Sequence, residues 1–335
     1  MVRLWFEFAV LTGVIVAAGT ALSRYGDVLA EKSGMGRTWI GLILIAVVTS
    51  MPELFSGIGA VTIAEAPDIA VGSVMGSCVF NMTLLVLIDA LHRRDSLYHA
   101  IGAAHILSAA LGLGLIAFVG LAIVAARLGL RARLGPVGLV SPGIVVFYLM
   151  AARAVFRFEQ RRLKEIVEQA EMLYGDVPLR RAVIGFSAAS VVVVAASLAL
   201  PVVAERLAQA MGWSRSFVGT ILVAATTSMP ELVVTVAAAR QGALDLAVGN
   251  IFGSNLFNMA IIALVDPFDV GGPILDHVAL LHTISAFTSV LMKGVVIAAL
   301  VTRQRTRAFA GVSWISLLLV GLFLINSLAL YFLEE

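Results

Sequence analysis

The chain has 335 residues, 60% of them apolar and 13% charged, with 23 Lys and Arg against 21 Asp and Glu. A soluble domain is about 25% charged, and the near-balance of sign excludes both a strongly basic nucleic-acid binder and an acidic disordered chain. The mean hydropathy of +1.01 leaves the polytopic membrane protein, and a lone cysteine, Cys78, excludes an intrachain disulfide.

Apolar stretches of spanning length run over 4–23, 38–64, 68–90, 99–126, 135–152, 182–203, 216–239, 244–265, 277–301 and 309–333. A spanning helix takes about 20 residues, so ten of them use about 200 and leave only short loops. The expectation is an all-α membrane protein of about ten transmembrane helices. The first stretch resembles a signal peptide, but it has a counterpart later in the chain and counts as part of the fold.

Loop charge sets the orientation. One alternating set of loops holds Arg24, Lys32, Arg37, Arg93, Arg94, seven basic residues from Arg153 to Arg181, Arg240, Arg303, Arg305 and Arg307, 16 in all. The other holds six: Arg3, Arg127, Arg131, Arg133, Arg206 and Arg215. The richer side is assigned to the cytoplasm of a plasma or inner membrane, which places both termini outside. Arg127, Arg131 and Arg133 run against the bias. The longest hydrophilic segment, 153–181, reads as a charged connector with both signs interspersed.

The two halves repeat. GLILIAVVTSMPEL at 41–54 and GTILVAATTSMPEL at 219–232 agree at ten of fourteen positions. Upstream, Ala30, Gly34 and Arg37 match Ala208, Gly212 and Arg215. Downstream, Asp68–Gly72 matches Asp245–Gly249, and Gly76-Ser-Cys-Val-Phe-Asn-Met82 matches Gly253-Ser-Asn-Leu-Phe-Asn-Met259. Five spans per half is an odd number, so the second half enters the membrane inverted. The expected division is a first repeat over 1–152 with its motif at 41–82, the connector 153–181, and a second repeat over 182–335 with its motif at 219–259. Inverted repeats with broken helices place a substrate site at mid-membrane.

The repeated segments carry oxygen chemistry. Glu53 and Glu231 lie mid-span with no basic neighbour in sequence, where a charge costs about 3 kcal/mol on insertion scales. A bound cation compensates both; protonated carboxyls bridging two helices are the alternative. Pro52 and Pro230 free the carbonyls of Val48 and Thr226 and kink the helix. Thr49 and Thr227 share a helix face with the glutamates, and Ser50 and Ser228 add hydroxyls. The next span carries Ser73, Ser77 and Asn81 at i, i+4 and i+8, matched by Asn250, Ser254 and Asn258. Gly72, Gly76, Gly249 and Gly253 allow close helix approach. Such stripes serve elsewhere as helix glue, but here both accompany a glutamate–proline break. All these ligands are hard oxygens, suited to Ca²⁺ or Na⁺. Cys78 reads as packing, Lys293 as a snorkelling side chain, and the five histidines as structural. Asp89 and Asp266 mark span ends.

At these residues the chain resembles the cation/calcium exchanger superfamily, and most its sodium/calcium exchanger branch. The resemblance rests on two Thr-Ser-x-Pro-Glu breaks, each followed by Gly-Ser-x-x-x-Asn, and covers essentially the whole chain. It implies that spans two, three, seven and eight form the ion core and that spans one and six slide against it. It implies that Glu53 and Glu231 are carboxylates shared by Ca²⁺ and Na⁺, that Thr49 and Thr227 coordinate through backbone or hydroxyl oxygen, that Ser50, Ser77, Ser228 and Ser254 are sodium-site hydroxyls, and that Asn81 is the first-repeat amide. At Asn258 many prokaryotic and potassium-dependent members carry Asp; Asn implies potassium-independent exchange. The implied partners are Ca²⁺ and Na⁺ as substrates, with membrane lipid around them and no nucleic acid. No cofactor and no enzymatic activity are expected. H⁺ coupling stays open, and a cation channel is the alternative of a different class.

Overall fold

The computed structural model describes residues 1–32, 47–92, 95–102, 104–135, 137–163, 177–304, 308 and 312–333. The start of the second predicted span, its repeat positions Gly34 and Arg37, loop residues Arg93, Arg94, Arg305 and Arg307, and connector residues 164–176 lie outside them.

Twelve helices are described: α1 Val2–Lys32, α2 Met51–Thr62, α3 Pro67–Leu91, α4 Leu97–Ala100, α5 Ala104–Arg127, α6 Val140–Leu163, α7 Leu179–Met211, α8 Arg215–Thr227, α9 Met229–Arg240, α10 Leu244–Val265, α11 His282–Val301 and α12 Trp314–Phe332. Eight are long and apolar enough to cross a membrane, and the bent pair α8–α9 makes a ninth. The predicted span at 38–64 is described from residue 47 onward and contains α2. The first eleven residues of the predicted connector continue α6.

Helix ends follow local chemistry. Pro52, Pro67 and Pro230 sit in the first turns of α2, α3 and α9, where proline lacks no needed donor. Gly212 closes α7 in the left-handed conformation, φ 70°. Ser214 and Ser313 cap α8 and α12, accepting from Phe217 N and Ser316 N at 3.1 and 3.2 Å.

Two features escaped the sequence reading. A short antiparallel hairpin pairs Arg133–Leu134 (β1) with Val137–Gly138 (β2). And α8 contains a π-helical turn over Val218–Val223, a local widening that occurs often beside functional sites.

Helices α3 and α10 form the centre, with 78% and 89% of their apolar windows buried, against 28% for both α1 and α7. The first half of α3 shares a core with the second half of α10, and the second half of α3 shares another with the first half of α10. The two helices therefore run antiparallel. They cross at matched positions: Asn255 Nδ2 donates to the Cys78 carbonyl at 3.2 Å, and Cys78 Sγ points at the Asn255 carbonyl at 3.7 Å. Cys78 packs there, fully buried. The glycines do what their spacing implied on the first stripe. A Cβ on Gly72 would lie 3.1 Å from the Ser216 carbonyl, and one on Gly76 would strike the Thr220 carbonyl. Backbone thus packs on backbone where α3 meets the π-turn.

Helices α1 and α7 are long, 31 and 33 residues, or about 46 and 50 Å. That exceeds a hydrocarbon core of about 30 Å, and the excess carries charge, with Arg24 and Lys32 near the end of α1 and Arg180 and Arg181 at the start of α7. They pack on each other and, mostly lipid-facing, lie along the broken helices: α1 on α9 and α7 on α2.

Candidate functional site

Both breaks have the same geometry. Ser50 sits at φ −88°, ψ 11° and Ser228 at φ −84°, ψ 7°, each between a helical segment and a proline-started helix. The sequence predicts a kink; the chain instead stops and restarts, with a bend of 46° between α8 and α9. A restart puts Glu53 and Glu231 in the first turn of a new helix. Negative charge is favoured there by the exposed N–H groups.

The serines cross over. Ser50 Oγ donates to Glu231 Oε1 at 2.9 Å, and Ser228 Oγ donates to Glu53 Oε1 at 3.0 Å. Each half thus holds the other half's carboxylate. Ser77 Oγ lies 3.4 Å from the same Glu53 oxygen and 2.8 Å from Ser228 Oγ. Thr49 Oγ1 and Ser254 Oγ are 3.5 Å apart. Asn81 Nδ2 donates to Asn255 Oδ1 at 3.1 Å. Of the ten predicted residues, Glu53, Glu231, Ser50, Ser228, Ser77, Thr49 and Ser254 are thereby linked in three contact groups, and Asn81 joins the crossing point of α3 and α10. Thr227 turns its hydroxyl back to the Val223 carbonyl at 3.1 Å. All ten residues are fully buried.

Several buried polar atoms at the centre lack a partner. Among the described residues, Glu53 Oε2, Glu231 Oε2, Asn81 Oδ1 and both polar atoms of Asn258 have no hydrogen-bond partner. Buried polar atoms are ordinarily paired. Four of these are acceptor oxygens with nothing donated to them. Among the described residues no three His, Cys, Asp or Glu gather in one place; the acidic groups gathered here are the two carboxylates, with neutral oxygens around them.

Residues the sequence analysis did not single out also belong here. Asn255 fixes the amide of Asn81; its signal was present, since it occupies the position matching Cys78. Thr12 of α1 lies 3.2 Å from Thr226, and Gly19 of α1 makes room for Pro230. Lys293 does not snorkel: it is fully buried, its Nζ 3.7 Å from Met82 Sδ and 5.7 Å from the Phe252 ring centroid.

Asp89 and Asp266 are buried clamps. Asp89 accepts from Leu97 N, Ser313 N and Ser316 Oγ at 2.9, 2.7 and 2.7 Å. Asp266 accepts from Ile274 N, Gly138 N and Ser141 Oγ at 2.7, 2.9 and 2.7 Å. Asp68 holds Ala279 N and His282, and Asp245 holds Gly102 N and His105, with both histidine contacts at 2.9 Å. Arg133 pairs with Asp276 at 3.0 Å, and Arg127 donates to the Val278 carbonyl at 2.7 Å. Arg131 donates to the Ala126 carbonyl at 3.4 Å, so all three arginines that oppose the charge bias have protein partners.

Known proteins bear on this geometry. The family described as sodium/calcium exchanger protein matches residues 3–156 and 181–332. Inner membrane protein YrbG of Escherichia coli strain K12 is 27% identical, over 96% of this chain and 94% of its own. Sodium/calcium exchanger MaX1 of Methanosarcina acetivorans is 30% identical, over 71% of this chain and 75% of its own. Among solved structures, the sodium-calcium exchanger NCX_Mj superposes with a TM-score of 0.63 at 19% identity, covering 100% of both chains. The H⁺/Ca²⁺ exchanger CAX gives 0.69 at 12% identity, over 98% of this chain and 81% of its own.

Proposed function

The chain belongs to the sodium/calcium exchanger protein family, and on that footing we propose that it exchanges Na⁺ for Ca²⁺ across the membrane by alternating access, independently of K⁺. The crossed serine–glutamate contacts carry the reading. They tie the two halves at one buried point and leave one oxygen of each carboxylate for an ion. Two ionised carboxylates are neutralised by one Ca²⁺ or two Na⁺. Ions that share those oxygens cannot occupy the centre together, so Na⁺ loading expels Ca²⁺. An empty centre holds uncompensated charge, which resists passage between the two faces. Loading removes that obstacle, and α1 and α7 move over the core. The working halves are 1–152 and 182–335, joined by the connector 153–181, with both termini outside a plasma or inner membrane.

Asn258 supports K⁺ independence, because a neutral amide supplies no charge for a further cation. The similar proteins include exchangers of Na⁺ and of H⁺, so the test must separate the two. Purified protein in liposomes is given ⁴⁵Ca²⁺ under an imposed Na⁺, K⁺ or pH gradient. Uptake driven by Na⁺ and unaffected by K⁺ supports the proposal; uptake driven by pH alone overturns Na⁺ coupling. A channel would equilibrate Ca²⁺ without saturable counterflow. Asn258→Asp is expected to increase the effect of K⁺ or of pH on uptake rate, and a variant indifferent to both would remove this position from coupling.

A further inference from the structure

Helix α1 meets the broken helices along a strict heptad. Trp5, Thr12, Gly19 and Gly26 recur every seven residues, a spacing that keeps one helix face. Trp5 packs edge-on against Trp213, ring centroids 6.2 Å apart. Thr12 Oγ1 lies 3.2 Å from Thr226 Oγ1. Gly19 admits the Pro230 ring, which a Cβ there would strike, and a Cβ on Gly26 would lie 3.6 Å from Val48 Cγ1. This face therefore runs from the aromatic start of α1, past Thr226 in α8, to both proline breaks.

Thr12 is the polar point on that face. Of the three hydroxyls on α1, Thr20 and Ser23 donate to their own helix, to the Val16 and Gly19 carbonyls at 2.7 and 3.0 Å. Thr12 instead bonds to another helix. Its partner is the residue whose carbonyl Pro230 frees, one position before Thr227 and two before Ser228. Thr226 is buried and Thr12 half-buried, so little water is at hand to replace the bond, and a low local dielectric strengthens it.

The other half lacks this contact. At the offset of 178 that relates the two breaks, Thr12 matches Ser190 of α7 and Thr226 matches Val48. Ser190 donates to the Phe186 carbonyl of its own helix at 2.8 Å, and Val48 packs in an apolar cluster with Leu22, Ala189 and Val193. Apolar contact is non-directional and survives sliding. A hydrogen bond between facing hydroxyls is lost with distance and misalignment, and a shift of one helical turn is about 5.4 Å.

We propose that the Thr12–Thr226 bond is a gate on the second break. It holds α1 over the ion centre in the state seen here and parts in every transport cycle, so Thr12 is a positioning residue that sets how fast α1 moves. The proposal rests on the exchanger reading.

The test is Ca²⁺/Ca²⁺ self-exchange by the full chain in liposomes, read with ⁴⁵Ca²⁺ in the absence of Na⁺. No self-exchange in the wild-type chain overturns the exchanger reading itself. With self-exchange present, Thr12→Val removes the hydroxyl at nearly constant shape and should raise the maximal rate at least about threefold, at an unchanged half-saturating Ca²⁺ concentration. Thr12→Ser should restore the wild-type rate. Thr226→Val should give the same rise, and the double variant no more than either single change. A Thr12→Val rate at or below wild type, or a double variant whose effect is the product of the two singles, overturns the gate. Should Thr12→Val not fold, Thr226→Val carries the same prediction. Ser190→Ala should leave the rate level; an equal rise there would show that any hydroxyl lost from α1 or α7 speeds exchange, and would count against the gate as well.

Discussion

Ser50 and Ser228 do more than the hydroxyl chemistry of their side chains suggested. The sequence placed each beside its own glutamate; in three dimensions each serves the other half's. Sequence spacing within one helix cannot reveal a partner 181 or 175 residues away. A hydrogen bond to a charged group is worth about 1.5–3 kcal/mol. Ser228→Ala should therefore weaken apparent Ca²⁺ affinity at least about tenfold, read from the Ca²⁺ dependence of uptake. Lys293 was misread because distance to a helix end says nothing about which face a neighbour covers. Outside the spans, His277 lies 3.0 Å from Asp269, and that contact raises its affinity for a proton above the ordinary value. A histidine favoured in its charged form stabilises the fold at low pH and loses that effect as pH rises through the folded value. The melting temperature in detergent should fall from pH 6 to pH 8 more steeply in the wild type than in His277→Gln. Parallel curves would show that the pair contributes nothing.

The broken helices were readable because proline and glycine leave local marks. Pro52 and Pro230 located both breaks, and the restart beyond each follows from the missing donor. The π-turn over Val218–Val223 left no such mark. It exists where Gly72 and Gly76 of α3 let another backbone approach, which is a property of two elements together. The hairpin at Arg133–Gly138 was hidden for a like reason: its charges pair with residues near 276. Backbone cannot yield to a methyl group as a flexible side chain can. Gly76→Ala should cost about 1–3 kcal/mol and lower the melting temperature. Gly294→Ala on α11, where a Cβ would meet nothing within 4 Å, should leave it level or raise it. Equal effects would refute the backbone-contact explanation.

Across the molecule, the repeat reaches further than the sequence comparison did. Asp68 with His282 mirrors Asp245 with His105, and the clamps on Asp89 and Asp266 mirror each other. The aspartates and histidines are identical in the two halves, and the contacts show that each matched residue also makes the matching bond. Fold class and the glutamate–proline centres were visible because membrane burial makes a charge conspicuous. The part of the second span before residue 47 is outside the described residues, so its packing adds nothing here. What unites the molecule is a single buried centre built from both halves, and its most direct test is Na⁺-driven ⁴⁵Ca²⁺ uptake by Glu53→Gln and Glu231→Gln in liposomes. Losing one partner of a buried charge pair costs about 2–5 kcal/mol, so each variant should fall at least about thirtyfold while remaining folded and monodisperse. Wild-type uptake by either variant would contradict a shared carboxylate centre.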